Sequence, residues 1–252
     1  MSGLVWCTGA GKGIGRAICL EYARRGWTVV ASARTEADLD LLVADATALG
    51  GRIVPLPLDV TDEAAVEAAV ARIQADHGPI DLAILNAGTH TPVGLADFTV
   101  ATFRRLMEVN FFGVVNGLAA MLPPMRARGT GHIAIVSSVA GYCGLPTAAA
   151  YGATKAALIN MAEALQPEMA AAGLRLSLVN PGFVKTPLTD RNPFPMPFLM
   201  SAEEAARRIA DGLGRGGFEI TFPRRFTYGL KLLRTLPYPL FFAITRRLLQ
   251  PR

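Results

Sequence analysis

Tyr151 and Lys155 are the residues whose types and spacing most directly offer chemistry. They stand four apart at the start of a helix predicted over Tyr151–Ala172, so their side chains share one face. A free phenol, with a pKa near about 10, is a poor base at neutral pH, and a neighbouring ammonium favours the phenolate. The pair therefore reads as a tyrosine that exchanges a proton with a bound oxygen, its pKa lowered by Lys155. Such pairs also occur by chance, so the surrounding chain decides the matter.

A second stretch with chemical meaning is Thr8-Gly9-Ala10-Gly11-Lys12-Gly13-Ile14-Gly15, which follows an apolar run and opens a helical pattern. Backbone N–H groups and the positive end of a helix receive a pyrophosphate in such a turn. The spacing is TGxxxGxG rather than GxGxxG, because Ile14 and Ile18 stand where the last glycine would fall. Where a site for NAD(H) would carry a carboxylate for the ribose 2′-hydroxyl, the chain has Ala33-Arg34. A guanidinium suits a 2′-phosphate, and Lys12 adds a second cation, so NADP(H) is the expected cofactor.

These groups need a scaffold. Strand candidates recur at Leu4–Cys7, Thr28–Ala33, Ile53–Leu58, Leu82–Leu85, His132–Ser137 and Leu174–Asn180, with a last one at Phe218–Phe222. Helical candidates lie between them at Gly13–Arg25, Glu36–Leu49, Asp62–Asp76, Thr102–Arg128 and Tyr151–Ala172. Alternation at this pitch predicts an α/β fold, a single Rossmann-type doubly wound parallel sheet with helices on both faces. Asp59-Val60 and Asn86-Ala87-Gly88 then fall at carboxyl ends of strands, where an open parallel sheet binds its ligand. Ser201, with Glu204 three residues on, reads as a capping box opening a later helix.

From Leu4 to Thr186 the chain resembles the short-chain dehydrogenase/reductase family. The resemblance rests on TGxxxGxG, on Asn86-Ala87-Gly88, on Tyr151-x-x-x-Lys155, on Ser138 thirteen residues before Tyr151, and on Pro181-Gly182-Phe183-Val184-Lys185-Thr186. It implies that Tyr151 donates a proton to a substrate carbonyl, that Ser138 hydrogen-bonds the same oxygen, and that Lys155 binds the nicotinamide ribose. It further implies that Asn110 completes a proton relay and holds its helix. Asp59 and Val60 would contact the adenine, Asn86, Ala87 and Gly88 would lie along the cofactor, and Pro181, Gly182, Val184 and Thr186 would hold the nicotinamide amide. The family often has a second asparagine before the Asn-Ala-Gly turn, where this chain has Leu85.

The loop 183–200 carries Leu188, Phe194, Met196, Phe198, Leu199 and Met200 among prolines, and in the family that region covers the substrate. Its content suits a hydrophobic ketone or acyl substrate, such as a lipid, steroid or aromatic carbonyl, or else packing against the tail. Thr89, His90, Tyr142 and Cys143 follow motif segments and are further candidates for lining that space.

The 252 residues, 51% hydrophobic and 18% charged, bound the reading to one globular core. Cys7, Cys19 and Cys143 form neither a CxxC pair nor a metal-ligand spacing with the histidines, so a reduced cytoplasmic protein without a metal site is expected. No signal peptide is read before Leu4, and no apolar run approaches the roughly 20 residues of a membrane span. No motif suggests nucleic acid. Net charge is +5, yet Phe222–Arg252 holds seven Lys/Arg and no acid, so the basic character belongs to the tail.

The domain reading is a dinucleotide-binding and catalytic unit over 1–222 and a helical extension over 223–252. Two short helices are expected there, Phe226–Thr235 and Tyr238–Leu249. The extension suits peripheral contact with a membrane, closure of the substrate cleft, or a partner subunit. The long helices Thr102–Arg128 and Tyr151–Ala172 are the family's usual surface for a homodimer. The alternative function is a catalytically silent NADP(H)-binding regulator, or a membrane-associated scaffold, on the same fold.

Overall fold

The computed structural model describes residues 3–191 and 196–249. Seven strands form one parallel sheet: β1 (Leu4–Thr8), β2 (Thr28–Ala33), β3 (Arg52–Pro57), β4 (Leu82–Leu85), β5 (His132–Val136), β6 (Arg175–Pro181) and β7 (Glu219–Phe222). Their order is β3-β2-β1-β4-β5-β6-β7, so the winding reverses between β1 and β4. Crevices for ligands open at such a switch point, beyond the carboxyl ends of the strands.

Both faces of the sheet are covered, which is why its strands read as unbroken apolar runs. Alternate residues enter two cores, as the twofold side-chain period of a strand requires. Val5, Cys7, Val29, Ala31 and Ile84 pack with α1 (Gly13–Arg24), α2 (Glu36–Asp45) and α7 (Ala202–Arg215). Leu4, Trp6, Val30, Ala83 and Leu85 face α3 (Glu63–His77), α5 (Gly113–Arg128) and α6 (Ala149–Ala171). Leu85, which stands where relatives often have asparagine, is buried in that second core. Ser201 caps α7 by accepting from the Glu204 N–H at 3.1 Å, while the Glu204 carboxylate turns to Arg208, so only half of the expected box forms.

The helix expected over Thr102–Arg128 is a composite. It begins as α4 (Val100–Met107), widens into a π turn at Glu108–Phe112, and resumes as α5. A π turn inserts one residue into the helical register and is frequent at functional sites; Asn110 sits inside this one, fully buried. The 29-residue run Val100–Arg128 is long and apolar enough by composition to cross a bilayer, which its sequence pattern did not suggest. Leu106 is buried beside Val93, and Val114, Leu118, Met121 and Met125 are buried with Val66 and Val70 of α3 and with the sheet.

The tail forms α8 (Arg224–Arg234) and α9 (Tyr238–Thr245), separated at Pro237 as expected. Leu230 and Phe241 are buried with Val139 and Cys143 of the loop between β5 and α6. The Phe226 ring lies 5.6 Å from Phe183 and 6.3 Å from Phe198, so the tail also packs on the loop 183–200. Pro193, Phe194 and Pro195 of that loop, and the chain from Gln250 onward, lie outside the described residues.

Candidate active site

A cleft of about 490 Å³ runs along the carboxyl ends of the strands at the switch point. One end is the β1–α1 turn. Gly9 has φ +68°, a left-handed conformation that side chains other than glycine's rarely take, and a Cβ on Gly15 would meet the Gly9 carbonyl oxygen at 2.2 Å. The turn is fixed to β4 by reciprocal bonds: Thr8 Oγ1 accepts from the N–H groups of Asn86 (3.0 Å) and Ala87 (3.1 Å). The Asn86 amide in return donates to the carbonyls of Thr8 (3.0 Å) and Gly9 (3.2 Å).

Gly9, Lys12, Gly13, Ile14 and Gly15 line the cleft, while Thr8 lies buried behind them. Helix α1 starts there with no side-chain cap and no acid in its first turn, so its positive end is left to an anion. These features fit a pyrophosphate. Arg34 is exposed on the rim of the same cleft, with no ion pair among the described residues. Asp59, whose carboxylate accepts from the Thr61 N–H at 3.0 Å, and Val60, Ala87 and Gly88 also line it.

Asp38 was missed by the sequence reading. No acid follows β2 directly, but the first turn of α2 brings the Asp38 carboxylate back to the glycine turn, 3.3 Å from Lys12 Nζ. The signal was an acid four residues beyond Arg34, in a first helical turn where acids are ordinarily read as dipole partners. Arg105 was missed as well. It reads as a surface charge on a helix, yet it lines the cleft and donates to Thr91 Oγ1 at 2.8 Å.

At the other end stand Ser138, just beyond β5, and Tyr151 and Lys155 on the first turns of α6. Burial pushes the Tyr151 phenol above its ordinary pKa, and the neighbouring Ser138 hydroxyl opposes that rise. Lys155 is buried, and desolvation pulls its ammonium down to about 8. Its Nζ donates to the Val136 carbonyl at 3.0 Å and lies 5.7 Å from the centre of the Tyr151 ring. The expected depression of the Tyr151 pKa by Lys155 is therefore absent from this arrangement: desolvation dominates the phenol, and the ammonium is directed to a backbone carbonyl.

Asn110 does not line the cleft. Its Oδ1 accepts from the Thr89 N–H at 2.7 Å, and its Nδ2 donates to the Thr89 carbonyl at 2.9 Å and to Thr154 Oγ1 at 3.1 Å. It thus clamps the loop after β4 to α6, beside Lys155 but not bonded to it. His90, in that loop, sets its ring edgewise on Tyr151 with centroids 4.7 Å apart.

Tyr142 and Cys143 turn away from the cleft. Tyr142 Oη donates to Glu219 Oε1 at 2.6 Å, and Cys143 is buried against the tail. Pro181, Gly182, Val184 and Thr186 close the cleft from β6. The base of the loop 183–200 is held by Val184 pairing with Met200, and Lys185 N–H donates to the Met200 carbonyl at 2.8 Å.

A parallel doubly wound sheet with an anion-ready helix terminus at its switch point defines the Rossmann class of dinucleotide-binding proteins. A model described as short chain dehydrogenase matches residues 4–193. An uncharacterized oxidoreductase of Myxococcus xanthus is 38% identical over 241 residues, covering 96% of this chain and 95% of that one. The solved short-chain dehydrogenase from Sphingobium yanoikuyae in complex with NADPH has a TM-score of 0.80 at 29% identity over 88% of each chain. One from Burkholderia phymatum in complex with NAD reaches 0.83 at 24% identity over 92% of each, a likeness of fold. The chain belongs to the short-chain dehydrogenase/reductase family and is an oxidoreductase of that family.

Proposed function

We propose that the protein is an NADP(H)-dependent oxidoreductase that interconverts a hydrophobic ketone and its secondary alcohol, with Tyr151 as proton donor in the reducing direction. The observation that carries this reading is Tyr151 itself: a half-buried phenol whose pKa desolvation pushes further up, beside Ser138, in the cleft that holds the glycine turn. A donor needs its proton at working pH, and this environment keeps it there. Ser138 would donate to the same oxygen and stabilise charge developing on it.

Gly9, Lys12, Gly13, Ile14, Gly15, Arg34, Asp59, Val60, Asn86, Ala87 and Gly88 would hold the adenosine and phosphate end of the cofactor. Lys155, Pro181, Gly182, Val184 and Thr186 would hold the nicotinamide end. When bound, the cofactor supplies or accepts the hydride. Lys155, charged below about pH 8, is suited to a ribose hydroxyl. Thr8 and Asn110 act one step back, as a brace for the glycine turn and a clamp for the loop carrying Thr89 and His90. The preference for NADP(H) rests chiefly on Arg34, because Asp38 offsets the charge of Lys12.

The hydrophobic substrate is supported by Leu188 in the cleft and by Phe198 and Leu199, which remain exposed on the loop above it. Free, buried Cys7, Cys19 and Cys143 suit a reducing, cytoplasmic setting. The exposed face of α6, with Ala153, Ala156 and Ala164, is suited to close helix packing in a homodimer. Oxidation of NADPH against a panel of hydrophobic ketones, with NADH run in parallel, tests the assignment. Turnover with NADPH on at least one such ketone is expected, and equal rates with NADH would remove the cofactor preference.

A further inference from the structure

We infer that the outer face of α8 and α9 docks on the surface of an anionic lipid bilayer. Within α9 only Phe241 and Thr245 are buried, while Tyr238, Leu240, Phe242 and Ile244 are 64%, 56%, 49% and 42% exposed. A helix apolar on all sides belongs in an apolar surround, and the protein covers only one side of this one. On α8, Tyr228 and Leu232 stand four apart and exposed, on the face opposite buried Leu230. The inner side of the tail is already anchored through Leu230, Phe241 and the Lys231–Glu219 ion pair, so the outer side is left for something else.

Charge indicates what that is. Arg224, Arg225, Arg234, Arg246 and Arg247 are exposed on the same two helices and their flanks, none has an ion pair among the described residues, and no acid follows Glu219. A second copy meeting this face isologously would set arginines against arginines with no carboxylate to relieve them. An anionic bilayer answers both features at once, taking the apolar side chains at the headgroup boundary and the guanidiniums at the phosphates.

The test is cosedimentation of the full chain with vesicles of phosphatidylcholine alone and of phosphatidylcholine mixed with phosphatidylglycerol. Binding to the mixed vesicles that weakens as salt rises is expected, with far less on the neutral ones. Leu232→Glu with Phe242→Glu, and separately Arg246→Glu with Arg247→Glu, should each lower that binding by about tenfold or more, at unchanged circular dichroism and melting temperature. Absence of wild-type binding to anionic vesicles would overturn the inference. So would unaltered binding by the two folded variants, or variants that dissociate an oligomer while vesicle binding stays the same.

Discussion

Lys155 and Tyr151 share a helical face, with Nζ 5.7 Å from the phenol ring, yet the ammonium donates to the Val136 carbonyl and the phenol is governed by its own burial. The two groups are tuned in opposite senses: burial raises the acid and weakens the cation. A protonated tyrosine and a lysine close to losing its proton form a donor and a pH-sensitive cofactor ligand.

The sign of the lysine shift sets a pH dependence. With its pKa lowered to about 8, Lys155 is charged below that value and neutral above it. NADPH affinity of the free enzyme should therefore fall as pH rises through about 8, and Lys155→Met should remove that step while weakening binding throughout. Calorimetric titration of NADPH across this range checks it; a flat profile in the wild type counts against a role for the ammonium.

Cofactor choice should follow Arg34 more than Lys12, because Asp38 sits 3.3 Å from the lysine and offsets it. Arg34→Ala is expected to cost NADPH roughly tenfold or more in affinity while leaving NADH nearly unchanged, in line with the loss of about 1.5–3 kcal/mol for hydrogen bonds to a charged group. Asp38→Asn should tighten NADPH several-fold. Dissociation constants for both nucleotides, read from cofactor fluorescence, decide this, and equal losses for the two would reject the 2′-phosphate contact.

Asn110 is predicted to act through structure. Asn110→Leu removes its bonds to Thr89 and Thr154 and leaves the part-buried Thr89 backbone groups unpaired, a loss of about 2–4 kcal/mol in unfolding free energy. Chemical denaturation measures that loss. Stability within a few tenths of a kcal/mol of wild type would show that the clamp is not needed.

His132 supplies a separate pH effect on stability. Buried, and within 2.9 Å of Ser177 Oγ, it has a pKa lowered to about 4 from an ordinary 6.5, through desolvation first and the nearby Arg175 second. The unfolded chain takes up this proton before the folded one does. The contribution is thus complete above about pH 6.5 and lost as pH falls toward 4, by up to about 3 kcal/mol. His132→Asn should flatten the unfolding free energy over that window, and an unchanged slope would place the acid sensitivity elsewhere.

The sheet was legible because strands buried on both faces leave continuous apolar runs, and Pro55 and Pro57 are tolerated in β3 because it lies at the edge. The glycine turn and the Tyr151–Lys155 spacing were legible because their geometry is local. What escaped the sequence depends on the return of the chain in space. Asp38 reaches Lys12 only once α2 has folded back, and the π turn around Asn110 has no composition of its own. Burial reversed the expected influence on Tyr151, since spacing along a helix shows which groups are near and not which way a buried Nζ points.

Tyr151→Phe tests the central claim most directly, with NADPH oxidation on the best ketone from the panel measured beside NADPH binding. Removing the proton donor while keeping the ring should lower kcat by about a hundredfold or more, with the dissociation constant for NADPH within a few-fold of wild type. Turnover retained by the phenylalanine variant would contradict Tyr151 as the donor.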